Sequence, residues 1–548
     1  MWEREEGACR KTSALACRVA SLREAQVASG ELVSEAFFVP QRRRVCPPAD
    51  LLIGQAMRKR GIGLVLGLVI FAVLLTRPAP AGMTPEAARA AAIALLMAIW
   101  WITEAIPIPA TALLPLALYP LLGVMNGKVT AEAYGDHNVF LFMGGFFIAM
   151  AMQKWNLHKR IALSIISVVG DSPRTLVLGF MCATAFLSMW ISNTATTMMM
   201  VPIAIAVLSQ VPSGSRAGSF APALTLGIAY SASIGGLGTL IGTPPNVIFA
   251  GAVEKLFPEL GDIGFLTWMT AAVPLVAIFL PTTWLYLTRV VFKVPPGRDC
   301  KVGGGKVEVR KELAALGKMS RGERYTLTVF ILTALAWTFR SNIDLGAFVI
   351  PGWSNLLGIA DLVNDGTVAI FAAVVLFALP VDLKKGEFAL DWEWASRIPW
   401  GVLLLFGGGF ALAASFRATG LDNWVGGWLR AAAGLPPVLL IIIVCLVMTF
   451  LTEMTSNTAT ASMAMPVLGS TAAVTGMNPL ILMIPATLSA SCAFMLPVAT
   501  PPNAIVFGTG SVTIPQMVRA GLGLNLIGVL LVTAVTYFIA VPVFGISW

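Results

Sequence analysis

Two long apolar stretches of this sequence are interrupted by the same polar tripeptide. Ser192-Asn193-Thr194 breaks the run 175–211, and Ser456-Asn457-Thr458 breaks the run 435–472. Two further runs, 220–258 and 477–510, are broken by Thr243-Pro244-Pro245-Asn246 and Thr500-Pro501-Pro502-Asn503. Hydroxyl, amide and carbonyl oxygens are hard ligands, suited to an alkali cation such as Na+ and ill suited to soft transition metals. Proline has no N–H to donate, so a helix unwinds at each Thr-Pro-Pro and leaves carbonyls free. Where two helical segments meet at such a break, N-terminal ends favour a carboxylate and C-terminal carbonyls favour a cation. This chemistry assigns Ser188, Ser192, Asn193 and Gly242 to one sodium ion. It assigns Thr452, Thr455, Asn457 and Ala499 to a second, with Gly242 and Ala499 contributing backbone carbonyls. Asn193, Thr194, Asn457 and Thr458 then face a substrate, with Thr243, Pro244, Thr500 and Pro501 at the adjoining breaks. Two paired sites suit a substrate with two anionic ends.

The motifs recur in register. Phe142 to Phe406, Ser192 to Ser456 and Pro202 to Pro466 are each 264 residues apart, and Thr243 to Thr500 is 257 apart. A lone Ser-Asn-Thr reads more simply as small polar residues packing membrane helices. Matching interruptions of both kinds, in the same order in two halves, point instead to a transport site near the membrane midplane. Two carboxylates also fall inside apolar sequence. Glu104 lies near the end of a span and can reach an interface; Glu453 precedes the second Ser-Asn-Thr, where Met189 holds the matching place. An acidic group at membrane depth is a functional candidate, so Glu453 either tunes cation binding or braces its hairpin.

The elements that must hold these groups follow from composition. The chain is 57% hydrophobic and 12% charged, against about 25% charged in soluble domains. Its apolar runs are continuous, which selects membrane helices over an alternating β-barrel. Spans are expected near 61–76, 87–106, 108–123, 138–153 and 266–292 in the first half. The second half has them near 325–340, 367–380, 398–416 and 516–544, with a weaker segment at 420–433. Residues 154–174 read as an interfacial helix. The tail 1–56 is polar and expected to be disordered; the halves are 57–294 and 324–548, joined by a basic linker, 295–323. The net charge of +9 gathers beside apolar segments, at Arg42 to Arg44, Arg58 to Arg60 and Arg298 to Arg324. That fits the positive-inside rule better than nucleic-acid binding and places the N-terminus and the linker in the cytoplasm. The acidic segment 341–366 suits the outer side, as does the C-terminus if the halves are inverted. Seven scattered cysteines and two histidines, His137 and His158, give no metal-ligand spacing and no nucleophile–base pair, so the chain does not read as an enzyme.

Ser188 to Thr196, Gly235 to Asn246 and Ser491 to Asn503 together resemble the divalent-anion:sodium symporter family, the group that includes the INDY proteins. The resemblance covers roughly residues 60–548, and the sodium and substrate residues assigned above follow that family's pattern as well as the local chemistry. It implies an all-α polytopic membrane protein of the plasma or inner membrane, an inverted repeat with two re-entrant helical hairpins and two broken transmembrane helices. It further implies eleven spans, a homodimer in the lipid bilayer, and an elevator-type movement that carries small dicarboxylates with Na+. A sodium-independent exchanger, or a sulfate or citrate carrier, stands on the same fold as the alternative.

Overall fold

The computed structural model of the chain describes residues 49–170, 172–209, 219–296, 305–344, 348–428 and 435–546. Residues 1–48 of the tail, 297–304 of the linker and the terminal Trp548 lie outside the described residues, and so do the expectations that rest on them. The chain divides into a unit up to Arg58 and a unit from Lys59 to Trp548. In the first, helix is present from Ala49 onward, so the end of the polar tail is helical. The second holds everything below.

Helix starts are written in the sequence. Thr84 accepts from Ala87 N ahead of Pro85, and Ser172 accepts from Thr175 N ahead of Pro173. Asp136 accepts from Asn138 N, and Ser320 with Glu323 forms a capping box. Each satisfies amides that the first helical turn leaves unpaired, with proline placed where no donor is needed. Among the described residues, five helices are long and apolar enough to cross a membrane: Pro85–Thr103, Gly127–Lys154, Phe265–Val291, Trp400–Thr419 and Ile514–Val543. The run 108–123 is two short helices, Ile108–Thr111 and Leu114–Leu121, with Pro109 and Pro115 in their first turns, where a missing N–H is tolerated but a continuous helix through them is not. Among the described residues, strands are confined to two short hairpins, Ile343–Asp344 with Val349–Ile350 and Pro380–Asp382 with Glu387–Phe388.

The linker is not simply a loop. Gly305–Ala315 is helical, as its Glu, Arg, Lys, Leu and Ala content favours. It binds the amphipathic helix Leu157–Val168. Lys159 Nζ lies 2.8 Å from Glu312 Oε2, and Arg160 Nε lies 2.6 Å from Glu323 Oε1. Arg160 also donates to the Gly317 and Leu316 carbonyls. Lys154, at the end of the His137–Lys154 helix, pairs with Asp391 at 2.7 Å. The basic segment, the linker and the 380–391 hairpin therefore gather at one end of that helix.

All four interrupted apolar runs form paired helices: Pro173–Ser188 with Asn193–Ser209, Phe220–Gly236 with Pro244–Leu256, Pro437–Thr452 with Asn457–Thr475, and Leu480–Ala490 with Pro501–Gly508. They interlace across the halves. Asn193–Ser209 packs on Pro501–Gly508, and Pro244–Leu256 packs on Asn457–Thr475. The repeated Phe-x-Gly-Gly-Phe motifs meet as well, with the Phe142 and Phe406 rings edge to face at 5.0 Å. Their glycines admit close neighbours: a Cβ on Gly144 would fall 2.6 Å from Ala369, and one on Gly409 would fall 2.9 Å from the Ser462 hydroxyl. Small residues allow membrane helices this approach.

Candidate functional site

Each Ser-Asn-Thr begins a helix, and the residue five positions before its asparagine ends the preceding one. In the first half Ser188, fully buried, places its hydroxyl 2.6 Å from Asn193 Oδ1 and 2.7 Å from the Ala232 carbonyl. In the second half Thr452, equally buried, lies 2.7 Å from Asn457 Oδ1 and 2.8 Å from the Ala490 carbonyl. One hydroxyl carries one hydrogen. In this orientation of the amides, three acceptor oxygens share a single proton in each half, and a hard cation is what such a group accommodates.

Both Thr-Pro-Pro breaks fold back onto these tips. Asn246 Nδ2 donates to the Gly236 carbonyl at 3.0 Å and the Thr239 carbonyl at 2.7 Å. Asn503 Nδ2 donates to the Ala493 and Leu496 carbonyls, each at 3.1 Å. These partners keep the 257-residue register, so the two staples are one device used twice. A Cβ on Gly236 would fall 2.7 Å from Asn193 Oδ1 and 3.2 Å from the Gly242 carbonyl oxygen. The first amide and the Gly242 carbonyl thus both border Gly236. Thr239 ties the break to the tip by donating its hydroxyl to the Met189 carbonyl.

Of the sequence-assigned residues, the structure joins Ser188 to Asn193, Thr452 to Asn457, and Gly242 to the first of these pairs through Gly236. Ser192 caps its helix weakly, accepting from Ala195 N at 3.3 Å. Thr455 turns its hydroxyl to the Leu451 carbonyl at 2.9 Å and to Thr460 Oγ1 at 2.5 Å. Register pairs Ser192 with Ser456 rather than with Thr455. Thr194 is half-buried and Thr458 is nearly buried; Thr243, Ala499 and Thr500 are buried, Pro244 is half-buried and Pro501 is exposed. Sequence reasoning quoted Asn246 and Asn503 but gave them no role, and it missed Gly236. The repeated Asn at the end of each Thr-Pro-Pro was the available signal.

Glu453 is 3% exposed and spans from the second tip to the second break, accepting from Phe494 N at 2.6 Å, Met495 N at 2.8 Å and Leu496 N at 3.1 Å. Glu104 instead pairs with Arg60 at 3.5 Å on an exposed surface. A separate polar cluster, remote from the tips in composition, joins Asp136, His137 and Glu254. Lys255 Nζ already neutralises Asp136 at 2.7 Å. Beside it Arg340 pairs with Asp365 at 2.6 Å, and none of the tip residues lines the small pocket between them.

Residues 58–544 match the family described as sodium:sulfate symporter transmembrane region. The chain belongs to this family. It is a membrane transporter and not an enzyme, and the family agrees with the resemblance carried by the three motif blocks. Its relatives include the sodium-dependent dicarboxylate transporter SdcS of Staphylococcus saprophyticus, 43% identical over 495 residues, covering 89% of this chain and 92% of that protein. SdcS of Staphylococcus aureus strain bovine RF122 is 42% identical with the same coverage. Among solved structures, MtrF of Neisseria gonorrhoeae, described as illuminating a class of antimetabolite efflux pumps, has a TM-score of 0.52 at 12% identity. It covers 90% of this chain and 96% of that one, and at that identity the likeness concerns the fold alone. Symporter family members are thus similar along nearly the whole described length, the four paired helices included.

Proposed function

We propose that this symporter carries C4 dicarboxylates of the succinate, malate and fumarate class into the cell with sodium ions, through two sites related by an inverted repeat. The observation that carries this reading is the matched geometry of Ser188, Asn193 and Ala232 with Thr452, Asn457 and Ala490. Two equivalent oxygen clusters, each beside a helix N-terminus, suit a cation apiece and one carboxylate apiece. The names of the relatives support sodium and a dicarboxylate as the cargo. The two tips are re-entrant hairpins in this reading, and Thr194, Thr458, Thr243, Pro244, Thr500 and Pro501 complete the substrate's surroundings.

Energetics require the coupling. Moving a dianion inward against about 100 mV costs roughly 4.6 kcal/mol, from roughly 2.3 per charge. Two Na+ ions cancel that electrical cost, and a tenfold gradient adds about 1.4 kcal/mol for each ion. The interlaced hairpins and broken helices form the moving body of an elevator. The scaffold includes the His137–Lys154 and Asp365–Ala378 helices, which pack closely on each other, and it supplies the contacts of a homodimer. The linker faces the cytoplasm and the C-terminus faces outside.

Purified protein in liposomes, assayed with labelled succinate, tests the proposal. Uptake should require an inward Na+ gradient and saturate. Counterflow without sodium would establish the exchanger instead, and competition by sulfate or citrate without competition by malate would move the substrate class.

A further inference from the structure

The two breaks share a staple but are not held alike. In the first, Leu237 N bonds to the Ile234 carbonyl at 3.2 Å and Gly238 N to the Gly235 carbonyl at 2.9 Å, so the backbone closes its own turns. Their counterparts Phe494 and Met495 give their amides to Glu453 instead. The segment is gripped from further sides: Asn525 Nδ2 donates to Glu453 Oε1 at 2.8 Å, and Tyr230 donates its hydroxyl to the Phe494 carbonyl at 2.8 Å. Glu453 thus receives four N–H donors on its two oxygens. An ionised carboxylate, which only accepts, answers such a set. No Lys, Arg or His among the described residues forms an ion pair with it. At the matching place of the first half stands Met189, which is neutral and contributes only its carbonyl.

We infer that Glu453 is a positioning residue that makes the two cation sites unequal, the second-half site being the tighter and the first to fill. The inference rests on the proposed sodium-coupled reading. Two effects act together. Glu453 holds Phe494–Leu496 open in advance, so sodium binding at Thr452, Asn457 and Ala499 does not have to order that backbone, and pre-ordering raises affinity. It also places a negative charge on the residue next to Thr452, in surroundings where charges are weakly screened. A cation that binds there first leaves a neutralised site for the incoming carboxylate. The first-half site, with Met189, lacks both effects and fills later.

The test uses full-length protein with Glu453→Gln and, separately, Asn525→Ala, which removes one of the four donors and keeps the carboxylate. Two readouts are taken. One is the Na+ dependence of succinate uptake in liposomes. The other is stabilisation of the detergent-purified protein by NaCl against choline chloride, without substrate. Loss of a hydrogen bond to a charged group predicts that Glu453→Gln raises half-saturating Na+ about tenfold, and Asn525→Ala shifts it less, in the same direction. Succinate half-saturation at saturating Na+ stays within about twofold of wild type. A merely structural Glu453 would lower the melting temperature and leave the sodium response unchanged, and that result overturns the inference. If Glu453→Gln does not fold, an unchanged sodium response in Asn525→Ala overturns it alone. A wild-type protein without Na+-dependent uptake or stabilisation removes the parent reading, and this inference with it. A sodium-driven wild type with unaltered variants removes only the inference.

Discussion

Ser188 Oγ stands 2.6 Å from Asn193 Oδ1, and the same spacing of five residues brings Thr452 Oγ1 to 2.7 Å from Asn457 Oδ1. The amide oxygen is thereby turned toward the hydroxyl, and in the proposed function the amide nitrogen donates to a substrate carboxylate. Asn193→Asp and Asn457→Asp keep the size and exchange that donor for an acceptor. Loss of a hydrogen bond to a charged group costs about 1.5–3 kcal/mol, or about tenfold to more than a hundredfold in affinity. Succinate binding to monodisperse mutants should fall by that factor while sodium binding persists. Wild-type succinate affinity in both folded mutants would remove these asparagines from the site.

Gly236 is one of several positions where the first break has no room, and the one whose Cβ would meet Asn193 Oδ1. A Cβ there meets Asn193 Oδ1 at 2.7 Å, and overpacking of a tight interior costs about 1–3 kcal/mol. Gly236→Ala should therefore raise half-saturating Na+ for uptake, since the amide must move off its hydroxyl partner. Its register partner is already Ala493, so Ala493→Gly should disturb sodium use far less. Equal sodium dependence in both variants would show that Gly236 only eases helix packing.

Much of this site could be read from the chain because its chemistry is local. Ser188 with Asn193 and Thr452 with Asn457 are each one helical turn and a break apart, and the Thr-Pro-Pro runs announce their own unwinding. What could not be read depends on contacts distant in sequence. Asn246 is quoted in its motif, but its bond to Gly236 exists only once the break has folded back. Glu453 reaches Phe494, 41 residues away, and no periodicity reports such a bond. The hydroxyl of Thr455, in the bend between the two helices, lies 2.9 Å from the Leu451 carbonyl, a contact that the tripeptide motif does not announce. The linker helix Gly305–Ala315 was hidden by its glycines and charges, although its later residues favour helix.

Arg160 and Glu323 give the linker region a pH dependence. Burial raises the carboxyl of Glu323, but bonds from Arg160 and the Ser320 amide prevail and hold it below the usual range. A depressed carboxylate stabilises the fold above its unfolded pKa and loses that contribution as pH falls through the folded value. Melting temperatures of wild type should thus drop on acidification below about pH 4, and Glu323→Gln should start lower and drop less. Parallel pH profiles in the two proteins would show that the pair does not contribute.

The proposed sidedness, with the linker facing the cytoplasm, is open to labelling. In a background without native cysteines, Lys318→Cys should resist an impermeant thiol reagent applied to intact cells, while Asp361→Cys should react. Labelling of both from the same face would contradict the assignment of linker and acidic segment to opposite sides of the membrane.

Asn246 and Asn503 allow the two breaks to be compared directly. Both are fully buried, and each carries its break on one amide nitrogen. Replacing either with Ala leaves the Gly236 or the Ala493 carbonyl without its partner, at about 1–3 kcal/mol for a buried group left unsatisfied, while Thr239 and Leu496 keep the Gly242 and Ala499 amides. Among the described residues no carboxylate reaches the first break, whose other holds are the neutral bonds of its own turns, the Thr239 hydroxyl and the Trp268 indole. The second has Glu453 as an independent hold on the same segment. Asn246→Ala should therefore lower the melting temperature more than Asn503→Ala does. In the Glu453→Gln background, Asn503→Ala should cost more than it does alone, because residues that share a segment are coupled rather than additive. Asn246→Ala should be additive with Glu453→Gln, since the two act on different breaks. Thermal unfolding of the three single and two double variants in one detergent measures all of these terms. An additive Asn503 and Glu453 pair, or an Asn503→Ala as damaging alone as Asn246→Ala, would show that the carboxylate does not share the work of holding Phe494–Leu496.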